Sequence, residues 1–433
     1  MWNSVDIGSL CLRPETVDPR KRPNDRFTYI DIAGIDREAK TISSTSPLLG
    51  SDAPSRARQK VQENDILVST VRPNLNAVAS VPAELDGEVA STGFCVLRPC
   101  RSLLEPRYLY YFVQTRPFID SLLQHVRGAN YPAVTDGNVK GVGLPYPGLS
   151  EQRRIVEILD QADALRQQRR AADEKAKRIL PALFHKMFGD PFSAATGFEV
   201  LPLGDERVAE INPRVDASLR DTTPVSFLPM SDVDEVWGRL RCQQQRLYSE
   251  VKRGFTPFRD GDVLFAKITP CMENGKAAIA EKLVNGYGSG STEFHVLRPG
   301  PRATPEWLYS LLRLDSFRQL AKSNFTGSAG QQRVPTGFLK QLRVPVPPLQ
   351  IQQQFARYYR QFIDSIDAAT ETRRKQEQLF GVLLHHAFTG ELTARWREAR
   401  KDQLAVELRE QMAALEQTTS GPSARGRQRR APR

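Results

Sequence analysis

One nine-residue phrase constrains this chain more than any other feature, because it occurs twice. STGFCVLRP at residues 91–99 returns as STEFHVLRP at residues 291–299. The register persists far beyond the phrase. LPYP at residues 144–147 maps onto VPVP at 344–347, Gln152 onto Gln352, His185 onto His385 and Phe188 onto Phe388, always 200 positions on. Upstream, DILVSTVRP (65–73) aligns with DVLFAKITP (262–270) at a step of 197, so loops account for the difference. A period of about 200 residues exceeds by far the roughly 20–50 of a solenoid unit. The chain is therefore a duplicated module, and its 433 residues leave room for two such copies, each with a core of its own.

Each copy reads in two parts. Short β-rich runs come first: DILVSTV, AVASVPAEL and GFCVLRP in one copy, DVLFAKI, KAAIAEKL and FHVLRP in the other, punctuated by Gly, Pro and Asn. Helical patches beginning PRYLYYF and PEWLYSL follow, each opened by proline. The second part begins at the Pro-x-Pro sequence, where proline ends a strand and leads a helix in. In copy one Ile158, Ala162, Leu165, Ala172, Ala176, Ile179 and Leu183 mark a narrow helical seam. In copy two Phe355, Tyr359, Phe362, Ile366 and Ala369 open the seam, and Leu379, Phe380, Leu383 and Leu384 close it. Gly189 and Gly390 are placed as left-handed C-caps. Each stretch would span roughly 55 Å as a helix of about 38 residues. So thin a seam needs a partner, and the other stretch is the nearest. The expected fold is two mixed α/β (α+β) domains separated by two long helices that form an antiparallel coiled coil, with pseudo-two-fold symmetry.

Charge points to the partner. Lys and Arg outnumber Asp and Glu 61 to 50, a formal +11, which suits a polyanion such as nucleic acid. Duplex DNA has dyads of its own, so a pseudo-symmetric protein is expected to read two inverted half-sites, about 10–15 base pairs apart for rods of this length. Because the copies differ strongly, the half-sites should differ too. Cys11, Cys95, Cys100, Cys242 and Cys271 form no C-x-x-C pair and no zinc-like spacing, and read as reduced packing residues. With no signal-like start and no apolar run of about 18–20 residues, a cytoplasmic, non-membrane protein is expected. There is no G-x-x-x-x-G-K-[ST] loop. GDPF (189–192) and INPR (211–214) lack the second proline of an adenine-methyltransferase motif, and His385 and His386 suit a helix C-terminus. No catalytic site and no metal site is expected.

DNA-contacting residues should be Arg, Lys, Asn, Gln, Ser or Thr on loop tips. VRPNLNA offers Arg72, Asn74 and Asn76, and its counterpart KITPCMENGKA offers Lys267, Thr269, Asn274 and Lys276. A second pair is RGANYPAV, with Arg127, Asn130 and Tyr131, against TGSAGQQRV, with Gln331, Gln332 and Arg333; each precedes a helix, where phosphate is welcome. Either pair would also read as plain polar turns. DPRKRPNDR is a further candidate for tracking a phosphate backbone. Near the end, Leu404, Leu408, Met412 and Leu415 share one helical face, and GPSARGRQRRAPR is basic and poor in apolar residues, as a disordered tail would be.

LSEQRRIVEILDQADAL, its weaker copy LQIQQQFARYYRQFIDSID and AFTGELTARWR together resemble the specificity subunit of type I restriction-modification systems. The resemblance implies target-recognition domains at residues 1–147 and 198–347, a central helical spacer at 148–197 and a C-terminal one at 348–398, ahead of the helix and tail at 399–433. It further implies a non-catalytic subunit that binds double-stranded DNA at a bipartite site, with two DNA methyltransferase (modification) subunits and restriction/translocase subunits docked on the spacers. Glu151, Gln152 and Gln352 are then expected to touch those partners. S-adenosylmethionine, ATP and Mg would belong to the partner subunits, with no cofactor in this chain. One departure is Ile351, which stands where the first copy has Glu151, so the two spacers need not make equivalent contacts. Two other readings are a stand-alone DNA-binding regulator and a coiled-coil adaptor; strong binding to DNA would argue against the adaptor.

Overall fold

The computed structural model describes residues 2–126, 132–192, 196–215, 218–240, 244–328 and 330–419. The chain divides into two compact units, Met1–Gln168 with Arg373–Arg433, and Arg169–Thr372. Each unit thus combines one globule with half of each long helix.

The first unit holds a four-stranded antiparallel sheet in the order Val78–Ser80, Ile66–Ser69, Phe94–Pro99, Cys11–Leu12. A five-stranded sheet lies in the order Glu15–Thr16, Ala57–Lys60, Val89–Ser91, Arg26–Ile30, Ser46–Leu49. The second unit repeats the scheme. Its sheets run Ala209–Ile211, Phe294–Pro299, Val263–Ala266, Ala277–Ile279, and Gln244–Leu247, Pro224–Leu228, Tyr287–Gly290, Thr256–Arg259. One parallel pair recurs in each, Val89 against Tyr29 and Ser226 against Gly288. Strands Ile66–Ser69 and Val263–Ala266 are buried at every position, as uninterrupted apolar runs require. Each carries an aspartate just before it that is almost fully buried and ion-paired inside the unit: Asp65 with Arg98 at 2.7 Å, Asp262 with Arg298 at 2.8 Å.

The Pro-x-Pro joints form two-stranded ladders with the start of each unit: Leu144 opposes Val5, and Val344 opposes Leu201. A sheet of two strands leaves each with an unpaired edge, where Pro145 and Pro345 cost no ladder bond. The first spacer helix runs Leu149–Ala176, breaks at Lys177 and Arg178, and resumes as Ile179–Phe188. Pro181 explains the break, because its ring has no N–H and clashes with the carbonyl four residues back, that of Lys177. At the matching position the second copy has Gly381, and Leu349–Thr389 is one unbroken helix of 41 residues. The expectation of two equal, continuous rods therefore holds only for the second. Gly189 and Gly390 do end the helices at positive φ, 77° and 85°.

The two helices run antiparallel. In the first unit Arg166 binds Glu377 (2.7 Å) and lies over the Phe380 ring (4.0 Å). In the second, Phe184 and Phe188 pack on Phe355 at 5.8 and 5.3 Å between ring centroids. The seam itself differs from the sequence reading. Leu165, Ile179 and Leu379 are exposed by 57 %, 49 % and 58 %, whereas Ile155, Leu159, Phe184, Ile363 and Ala387 are buried. The helix ends turn their apolar faces to the globules as well as to each other, which rotates the buried stripe. Towards the middle of the first spacer helix polar pairs replace apolar ones: Asp163 braces Arg166 from one turn back (3.0 Å) for its bond to Glu377, and Arg169 pairs with Asp173 along the same helix.

One globule-to-helix contact occurs in both units with its charges exchanged. Arg107 binds Asp160 in the first (2.5 Å), and Glu306 binds Arg360 in the second (2.6 Å). The Lys401–Thr419 helix packs on the first unit through Leu404, Leu408, Met412 and Leu415, as its spacing predicts. Gln411 Oε1 accepts from Leu149 N–H (3.0 Å) and Glu407 Oε1 from Ser150 N–H (2.8 Å), capping the first spacer helix.

Candidate nucleic-acid interface

In both units the fold brings together the two loops that the sequence singles out separately. Strand Ile66–Ser69 runs into the Arg72 loop, and the segment at Pro132–Val134 lies alongside it. Arg72 N–H donates to Pro132 O (2.7 Å) and Val134 N–H to Thr70 O (2.9 Å). The second unit makes the same bonds at the same places: Thr269 N–H to Gln332 O (3.0 Å), Val334 N–H to Lys267 O (2.9 Å). A third segment, from the repeated phrase, joins each ridge, with Thr70 N–H on Gly93 O and Lys267 N–H on Glu293 O, both 2.9 Å. Thus one backbone frame presents two different sets of side chains.

In the first unit Arg72 and Asn74 are exposed, and Arg72 sits at φ 50°, in the left-handed region. A non-glycine residue there points its side chain off the ordinary strand path. Asn76 corrects the sequence reading. It is buried, its amide donates to Val113 O (3.0 Å), and Lys40 Nζ donates to its Oδ1 (3.0 Å) and O (2.7 Å), so it closes the loop and is not a contact residue. Arg127, Asn130 and Tyr131 lie outside the described residues.

In the second unit Gln331 is exposed, while Gln332 and Lys267 are half-buried. Arg333 forms a two-pronged pair with Glu293, Nε to Oε2 at 2.9 Å and Nη2 to Oε1 at 2.8 Å, which holds the Glu293 carboxyl below its ordinary range. Thr269 Oγ1 bonds Glu273, whose pKa is lowered first by Lys322 and then by Thr269. Lys276 Nζ reaches back to Met230 O (3.2 Å). Asn274 is exposed, on a loop two residues longer than its first-unit counterpart, and lines a cleft against the spacer helix.

Sequence reasoning passed over Glu293 and His295. His295 is buried, with Nε2 2.8 Å from Val334 O and Nδ1 3.1 Å from Asn212 Nδ2. An amide donor on Nδ1 leaves the proton on Nε2, so the ring is neutral, and burial lowers its pKa. The signal was available: the two nine-residue phrases differ only at Gly93/Glu293 and Cys95/His295, and both changes support the second ridge.

Glu151, Gln152 and Gln352 are turned inward. Glu151 accepts from Trp2 Nε1 (3.2 Å), Thr393 Oγ1 (2.6 Å) and Arg397 Nη1 (3.0 Å). Gln152 and Gln352 have no exposed surface. Gln352 Oε1 accepts from Thr304 N–H (2.9 Å), and its amide donates to Arg302 O and Pro347 O (both 2.8 Å). Gln152 repeats this with Glu105 N–H (2.9 Å), Pro147 O (2.9 Å) and, weakly, Leu103 O (3.5 Å). These glutamines lock helix, joint and globule together within one chain, which corrects the expectation that their side chains meet a partner.

Among the described residues no group of three or more His, Cys, Asp and Glu side chains is arranged to hold a metal ion, and no helix is long and apolar enough to cross a membrane. Comparison with known proteins matches residues 49–173 and 224–378 to the family described as Type I restriction modification DNA specificity domain. The Escherichia coli type I restriction enzyme EcoAI specificity subunit is 35 % identical over 215 residues, 48 % of this chain and 36 % of that protein. The E. coli K12 EcoKI specificity subunit is 23 % identical over 374 residues, 81 % of this chain and 79 % of that one. The alignments with the EcoAI and EcoEI subunits span only about a third of those relatives' own length, 36 % and 29 %. A structure solved in a study of assembly and conformational transition of the type I R-M system matches with a TM-score of 0.54 at 27 % identity, over 90 % of this chain and 98 % of that one. The type I restriction-modification S subunit of M. genitalium shares the fold, at a TM-score of 0.51 and 13 % identity, over 90 % and 96 % of the two chains.

Proposed function

This chain belongs to the type I restriction-modification DNA specificity family, and on that premise we propose that it is the non-catalytic, DNA-binding specificity subunit of such a complex. Each unit reads one half of a split, asymmetric DNA site. The observation that carries the reading is the duplicated ridge: identical backbone bonding in the two units, with Arg72 and Asn74 on one and Lys267, Thr269, Gln331, Gln332 and Arg333 on the other. Such side chains pair with base edges and phosphates, and unlike sets require unlike half-sites. Arg127, Asn130 and Tyr131 join the first set on sequence grounds alone.

The spacer helices hold the readers a set distance apart and carry the modification subunits, and through them the restriction subunits. The exposed apolar residues Leu165, Ile179, Tyr358, Leu379 and Val382 on those helices support such docking. S-adenosylmethionine, ATP and Mg act in the partners, and the complex works in the cytoplasm, where its DNA is.

The test measures binding of the purified chain to duplexes carrying both half-sites, the half-sites themselves being found by mapping methylation in the host genome. Affinity should fall steeply with salt, and Arg72→Ala should weaken binding by about 1–3 kcal/mol if it reads a base, only while its own half-site is intact. Methyl transfer by the chain alone, or binding indifferent to both half-sites, would sink the proposal.

A further inference from the structure

The second unit contains a cleft of about 550 Å³ between the Ile179–Phe188 helix, the Pro305–Arg313 helix and the turn at Glu235–Trp237. Its origin can be read by comparing the two copies. Tyr110 donates its hydroxyl proton to Lys40 O (3.1 Å) in the first unit, and Tyr309 donates to Trp237 O (3.0 Å) in the second, so these positions correspond. The next residue is Tyr111 in one unit and Ser310 in the other. The Tyr111 ring is fully buried, beside Phe380 and under Arg107. Ser310 leaves the place of that ring open.

What lines the opening selects an occupant. Ser310 is buried, with 7 % exposure, and its Oγ has no hydrogen-bond partner among the described residues; the same holds for Arg313 Nη1 and Arg318 Nε. Four cations, Lys177, Arg178, Arg313 and Arg318, and two carboxylates, Glu235 and Asp315, line the cleft; Arg318 pairs with Asp315 through Nη2, which leaves its Nε unmatched among the described residues. The Trp237 ring, packed on Phe362 at 6.0 Å, forms an aromatic wall. Arg313 is anchored through Nη2 to Glu235 O (2.9 Å) and Val236 O (2.7 Å), which keeps the guanidinium in place.

We propose that this cleft is a binding site for a small aromatic anion, whose ring takes the place that Tyr111 fills in the first unit and whose charge meets Ser310, Arg313 and Arg318. The volume falls in the range of roughly 300–1,000 Å³ typical of small-molecule sites. Two sources share this chemistry: a phenolic carboxylate, which imitates tyrosine itself, and a nucleotide, with a heteroaromatic base and a phosphate. The site stands independently of the DNA-binding role.

Titration of the full-length protein with 4-hydroxyphenylacetate and, separately, with nucleoside monophosphates, read by tryptophan fluorescence and calorimetry, tests the proposal. At least one probe should bind with a fluorescence change that Trp237→Phe removes. Two variants that install the first unit's own residues at the same step of 199, Ser310→Tyr after Tyr111 and Arg313→Gln after Gln114, should each weaken binding by roughly tenfold or more. Arg313→Gln alters a partly exposed side chain and guards against misfolding of the tyrosine variant, which unfolding in urea would reveal. No binding of either probe at millimolar concentration, or binding that both variants leave unchanged, overturns the site.

Discussion

Gln352→Leu should destabilise the second unit more than its counterpart Gln152→Leu destabilises the first. Leucine roughly keeps the shape of the side chain and removes its hydrogen bonds. In the second unit that strands three backbone groups, Thr304 N–H, Arg302 O and Pro347 O, each of which bonds the Gln352 side chain. At about 1–3 kcal/mol per buried group left unsatisfied, and allowing for partial relaxation, the loss is about 3–6 kcal/mol. In the first unit only Glu105 N–H and Pro147 O are stranded, because Leu103 O also accepts from Gln411 Nε2 and the Tyr146 hydroxyl, both at 3.0 Å. The loss there is about 2–4 kcal/mol. Against a typical domain stability of about 5–15 kcal/mol, either change is large. The assay is urea unfolding combined with hydrogen exchange at the Thr304 and Glu105 amides, which separates the units where a single transition would blur them. Equal protection of both amides in wild type and variants, with losses below about 1 kcal/mol, would refute the view that these glutamines lock the joints.

Asp262→Asn should cost the second unit about 3–5 kcal/mol in urea unfolding, because it removes the buried anion on the Arg298 guanidinium, itself largely buried, and leaves it only the exposed Glu210 carboxylate at 4.0 Å. For His295, the folded pKa is lowered, so protonation favours the unfolded chain. Its contribution is complete above the ordinary histidine value of about 6.5 and declines as pH falls below it, towards the folded value; His295→Gln should flatten stability across that window in unfolding experiments at stepped pH.

The duplication was legible in residues alone. So were the proline-led joints, the glycine ends of both helices and the C-terminal amphipathic face, because each depends on local preference or on a period that nearby residues carry. The break in the first spacer helix was open to the same reasoning, since Pro181 is visible where its copy has glycine, yet the apolar pattern runs across it unchanged. The seam was misjudged at Leu165, Ile179 and Leu379, which are exposed, because a helix that serves a globule and another helix at once has two apolar directions, and spacing along one chain shows only their sum.

Which polar residues face outward was settled by tertiary structure. Asn76, Gln152 and Gln352 have the composition of contact residues and are spent inside, since backbone groups far away in sequence need partners once buried. Arg72 and Pro132, or Thr269 and Gln332, meet across some sixty residues of chain, and no local signal reports such a meeting. Sequence determined that there would be two similar halves with different loops; only folding decided that those loops join into one ridge per half, because sheet register, not adjacency, brings them together.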